Sequence, residues 1–189
     1  MDSRAGMASD RRKRTMVKGR VPLSRDEIVQ LDAALIRAFR TIAELREQVP
    51  AARHIKSPPL PPIFSESIVI AAATRLFGSE WTGKYGGTEC DVLIENGRGE
   101  SKRVEVKATG QHAFQELKAK DLRADHLVWV RFGRRFNLGQ GPVEIAILTD
   151  PFRFIRNPCR LDTARFEKRV GSTDSLRILD FDSLEALLQ

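Results

Sequence analysis

Cysteine is scarce, with only Cys90 and Cys159 in 189 residues, too few for a disulfide framework. Histidine is scarcer relative to need, since His54, His112 and His126 show no clustering of the kind a zinc site requires. Long apolar runs are missing too. The longest uncharged apolar stretch, Ile68 to Ala73, falls well short of the roughly 18 residues of a membrane-spanning helix, so no membrane partner is expected. The opening residues lack the basic, apolar and small-residue succession of a secretory signal. A reducing, cytoplasmic setting is the expectation. What is present, 41% hydrophobic and 30% charged residues, suffices for one sizeable core and lies outside the disordered composition class. No internal repeat is seen.

The formal net charge of +7 is concentrated at one end. Residues 1–20 hold Arg4, Arg11, Arg12, Lys13, Arg14, Lys18 and Arg20 against Asp2 and Asp10, leaving 25 basic and 23 acidic side chains in the body. Such a segment reads as a disordered basic tail, which either finds phosphate backbones or only keeps the protein soluble. Ser24 and Glu27 form a capping box, so a helix is expected to begin there. Ile28, Leu31, Leu35, Ala38, Ile42, Leu45 and Val49 follow at alternating three- and four-residue spacing and stop at Pro50. That stripe needs a partner surface, either its own domain or a second copy. The stiff segment SPPLPP, residues 57–62, divides a helix-plus-linker region (21–62) from a main domain (63–189).

Within the main domain, residues 65–77 carry helical spacing at Val69, Ala72, Ala73 and Leu76, with Gly78 as terminator. GKYGG reads as a loop. CDVLIE and RVEVKA then alternate and are joined by Asn96-Gly97-Arg98-Gly99, which predicts an antiparallel hairpin. Residues 112–124 read as a helix, LVWVRF and VEIAIL as strands, Asp162 to Arg169 as a short helix, Leu176 to Phe181 as a strand, and Ser183 to Leu188 as a terminal helix. The expected fold class is α/β, a mixed β-sheet flanked by helices with an N-terminal helical extension.

Strand alternation divides the hairpin into an apolar and an ionic face. Cys90, Val92 and Ile94 share one side with Val104, Val106 and Ala108 across the turn; Asp91 and Glu95 oppose them, as do Arg103, Glu105, Lys107 and Thr109. Acidic-x-Lys triplets also occur at Glu100-Ser101-Lys102 and Glu116-Leu117-Lys118, but only Glu105-Val106-Lys107 lies in an alternating strand with an acid on the preceding strand. Two carboxylates and an ammonium held by a sheet suit a hard divalent cation, whereas a solvated face of cross-strand ion pairs is the plainer alternative.

The acid-bearing helix start, Gly86-Gly87-Thr88-Glu89-Cys90-Asp91 and Glu105-Val106-Lys107-Ala108-Thr109-Gly110, followed by a helix and a strand, resembles the PD-(D/E)xK nuclease superfamily over residues 64–132. The resemblance implies a restriction-endonuclease-like fold in which Asp91, Glu105 and the Val106 carbonyl hold Mg²⁺, with Mn²⁺ as an alternative. It further implies that Lys107 orients or helps deprotonate the attacking water, that Glu66 is the matching helix acid, and that Gln115 lies beside the site. Cys90 stands where the motif's name has proline. The implied reaction is phosphodiester hydrolysis leaving a 5′-phosphate, by a small type II restriction-like endonuclease acting on double-stranded DNA as a homodimer. A junction-resolving or repair nuclease, and a non-cleaving nuclease-fold subunit, are the alternatives. Lys118, Lys120 and Arg123 on the following helix, and Arg131, Arg134 and Arg135 in VRFGRRF, are the candidate nucleic-acid contacts.

Overall fold

The computed structural model describes residues 20–110 and 114–189; the basic tail up to residue 19 and His112 lie outside the described residues. Ser24 caps α1 (Arg25–Gln48) with the full capping box: its hydroxyl accepts from the Glu27 N–H, and the Glu27 carboxylate accepts from the Ser24 N–H at 2.7 Å. The buried stripe of α1 is Ile28, Asp32, Leu35 and Phe39, which keeps the alternating spacing of a heptad but takes Asp32 and Phe39 in place of the expected Leu31 and Ala38. Ala38, Leu45 and Val49 of the heptad stripe are exposed. A 3-10 turn at Pro50–His54 follows, and the 57–62 segment runs on without helix or strand to Pro62, which opens α2 (Pro62–Ala71). The predicted 65–77 helix is broken at Ala72 into α2 and α3 (Ala73–Phe77), and Gly78, at φ 117°, ends the second piece.

The main sheet has six strands, β1 (Trp81–Tyr85), β2 (Val92–Asn96), β3 (Ser101–Thr109), β5 (His126–Arg131), β6 (Val143–Thr149) and β8 (Leu176–Phe181), in that spatial order. All neighbours are antiparallel except β3 and β5. The predicted hairpin is β2–β3, with Val92 opposite Val104. β1 corrects the loop expected at GKYGG: a Cβ on Gly83 would lie 2.9 Å from the Ile70 Cα, so this glycine admits α2 against a strand instead of making a turn.

The helix expected over 112–124 is a second correction. Its described part contains β4 (Gln115–Leu117), which pairs antiparallel with β7 (Cys159–Leu161), and a 3-10 turn at Asp121–Arg123. The remaining elements are α4 (Arg135–Leu138), α5 (Pro151–Phe154), α6 (Thr163–Val170) and α7 (Leu184–Leu188). Both faces of the sheet are covered. Val128 and Val130 join Ile28, Leu35, Phe39, Phe64 and Ile68 in one core, while Leu127 and Trp129 join Leu117, Leu122, Leu161 and Phe166 in the other. This explains why all six residues of β5 are buried and why its sequence is nearly continuous in apolar residues.

Candidate functional site

The ladder between β2 and β3 ends at the Val92–Val104 pair, so β3 continues past the end of its partner. The next position on β2's side is taken by a side chain: the Asp91 carboxylate (Oδ2) accepts the Val106 N–H at 2.9 Å. One carboxylate thus ties the first acid to the middle residue of the Glu105-Val106-Lys107 triplet. The turn leading to it is tight. Gly86 donates its N–H to the Asp91 carbonyl, and a Cβ at Gly86 would lie 2.2 Å from the Cys90 sulfur.

Glu105 and Lys107, two residues apart on one face of β3, meet at 2.9 Å between Oε1 and Nζ. Neither lies on a solvated surface: Glu105 is 2% exposed. The Glu105–Lys107 end of the hairpin's ionic face is covered by the segment after β4, where Lys120 Nζ comes within 3.6 Å of Glu105 and Asp121 Oδ2 within 2.9 Å of Lys107 Nζ. Glu66 reaches the same place from α2, with the Arg20 guanidinium 3.5 Å from its Oε2. Gln115 lies on β4, not on a helix, and donates its amide N–H to the Ala108 carbonyl at 2.6 Å.

These groups line one open cleft of about 840 Å³, whose other wall includes residues of the proline-rich 57–62 segment. Glu66, Asp91, Glu105, Val106, Lys107, Gln115, Lys118 and Lys120 all border it. Asp121 borders it too, and the sequence pattern gave it no site role. Arg123 and Arg134 are exposed but border other surfaces. Arg131 and Arg135, expected as nucleic-acid contacts, are buried in ion pairs, 7% and 6% exposed. Arg131 pairs with Glu144 and Glu167, and Arg135 with Asp32 of α1 and with the Gly141 carbonyl.

Burial, followed by the neighbouring Asp121 carboxylate, pushes the Glu105 acid up to about 7 against the pull of Lys107. Burial and the Asp91 charge also raise Glu66. Asp121 moves the other way, because its bonds to Glu105, the Lys118 N–H and Lys107 outweigh burial. Burial would discharge Lys107, but the two carboxylates prevail and hold it as an ammonium. The acids therefore divide a proton unequally, with Glu105 its holder and Asp121 the anion.

Among the described residues, no three His, Cys, Asp or Glu side chains form a ready-made metal cage. The donors that do converge are hard oxygens, which fits magnesium or manganese, since such ions keep several waters and rest on one or two carboxylates. Comparison with protein-family models, curated proteins and solved structures finds no match to the chain.

Proposed function

We propose that this protein is a Mg²⁺-dependent nuclease of restriction-endonuclease-like fold that hydrolyses phosphodiester bonds in double-stranded DNA. The observation that supports it is the convergence of Asp91, just ahead of β2, with Glu105 and Lys107 of β3 and Glu66 of α2, in a single cleft open to solvent. Asp91 and Glu105, with the Val106 carbonyl, are the residues that would hold the ion. When bound, such an ion polarises a phosphoryl oxygen and acidifies its water.

The protein's own groups supply the rest. Lys107, held as an ammonium, acts as a fixed positive charge against a transition state that gains negative charge, not as a proton acceptor. Lys118 and Lys120 are exposed at the cleft, where they meet backbone phosphates, and Arg20 adds a third cation. Gln115 keeps β4 against the end of β3 and so fixes the wall behind the two acids.

The test is cleavage by the full chain of plain plasmid and of branched DNA, with Mg²⁺ or Mn²⁺, followed by sequencing of the ends. Ends bearing 5′-phosphates are expected; a discrete ladder from plasmid marks a restriction-like enzyme and selective cutting of branches a resolving one. Asp91→Ala and Glu105→Ala should each lower the rate by about 10³-fold or more while retaining much of the DNA affinity. Unchanged cleavage in either variant would refute the assignment of the site. Sedimentation with and without DNA tests the homodimer that a double-strand cut implies.

A further inference from the structure

Asp121 is fully buried, at 0% exposure, in the wall of the cleft. A carboxylate in such a place is costly unless it is matched by donors or an opposite charge. Its Oδ2 is matched twice, by the Lys118 N–H at 2.9 Å and by the Lys107 ammonium at 2.9 Å. Oδ1 is buried without a hydrogen-bond partner of normal geometry, and the neighbouring Glu105 acid and the Lys107 ammonium both help to hold the charge. Because the Lys118 N–H is backbone, it fixes the carboxylate relative to the chain, and the carboxylate in turn fixes the lysine.

Lys107 has two anchors at equal distance, Glu105 Oε1 and Asp121 Oδ2. They are not equivalent. Glu105 also faces Lys120, and on the nuclease reading its oxygens are those that engage the ion. We infer that Asp121 is a positioning residue, keeping the Lys107 ammonium at the cleft when Glu105 is otherwise engaged. This rests on the nuclease reading for its catalytic consequence, but not for the anchoring itself. Without the Asp121 charge the ammonium is left to Glu105, competing for the same carboxylate that the ion needs.

Asp121→Asn is the informative variant because it keeps the shape. The amide oxygen can accept the Lys118 N–H while the amide nitrogen donates to the Glu105 carboxyl, so the variant should melt no lower than the wild type. Expected in the full chain are a kcat reduced about 10- to 100-fold, a KM for DNA changed by less than about 3-fold, and partial rescue in Asp121→Glu. A second readout needs no catalysis: acetylation of the Lys107 amine, followed by mass spectrometry in chelator, should be several-fold faster in Asp121→Asn. If the wild type cuts no nucleic acid, the nuclease reading fails and the amine reactivity alone decides the anchoring. Unchanged Lys107 reactivity, a wild-type kcat, or failure of the Asn variant to fold would each overturn the inference, the last by making Asp121 a structural group only.

Discussion

Glu105 faces opposed demands, because the fold buries its carboxyl while the proposed chemistry needs it ionised. With the folded group at about 7 and an unfolded value of 4.5, the folded state keeps a proton that the unfolded state has lost across that window. Stability therefore falls as pH rises from about 4.5 through 7. His126 works in the opposite sense. Burial beside Phe77, with Lys102 nearby, lowers it from 6.5 to about 4, so its contribution is present above 6.5 and is lost as pH falls toward 4. Comparison with Glu105→Gln, which stays uncharged, isolates the first effect. In chelator, the wild-type melting temperature should drop relative to this variant between pH 5 and pH 8, and Mg²⁺ should restore it only in the wild type. Parallel pH profiles for the two proteins would refute the proton assignment. Glu105 and Lys107 were legible in the sequence because strand alternation puts them on one face, and Asp91 because the hairpin turn returns it beside them. Asp121 was not, since its place depends on a turn outside the hairpin. Nor were the fates of Arg131 and Arg135, whose carboxylate partners include residues 36 and 103 positions away.

Local pattern sufficed for elements whose partner is adjacent in the chain. The capping box placed the start of α1, and the alternating segments around Asn96-Gly97-Arg98-Gly99 gave the β2–β3 hairpin. It failed where a partner is distant. Gln115-Glu116-Leu117 has little strand character of its own and becomes extended because Cys159-Arg160-Leu161 pairs with it from more than forty residues downstream. β1 was hidden by the two senses of glycine: Gly83 serves a close approach and Gly86 a tight return. The second sense is testable at the site. Alanine at Gly86 would drive its methyl into the Cys90 sulfur and carbonyl, displacing Asp91 at the next position. Gly86→Ala should cost about 1–3 kcal/mol in denaturant titration, and should slow cleavage about 100-fold through misplacement of the first acid. Gly97→Ala, with nothing within 4 Å of the added carbon, is the control and should change neither quantity.

On the scale of the whole molecule, α1 decides whether the N-terminal region is an accessory arm or part of the structural unit. Ile28, Leu35 and Phe39 belong to the same core as the sheet, and Phe39 stacks on Phe136 with ring centroids 4.8 Å apart. Asp32 sits within that apolar stripe and meets Arg135 across the interface, with side chains only 5% and 6% exposed. A buried pair of this kind tolerates joint replacement far better than the loss of one member, which leaves an unmatched charge in the core. Asp32→Ala should therefore destabilise the protein by about 3–5 kcal/mol, whereas the double variant Asp32→Leu, Arg135→Met should recover most of that loss. Denaturant midpoints at several protein concentrations separate this from an assembly effect. A concentration-independent drop shows that α1 completes the fold of its own chain; a drop that disappears on raising the concentration would instead place the partner of this helix on a second copy. In the first case the cleft and the N-terminal helix are one cooperative unit, since Phe39 also borders the cleft beside Glu105 and Lys107. Loosening α1 should then slow cleavage without altering any group that touches the substrate.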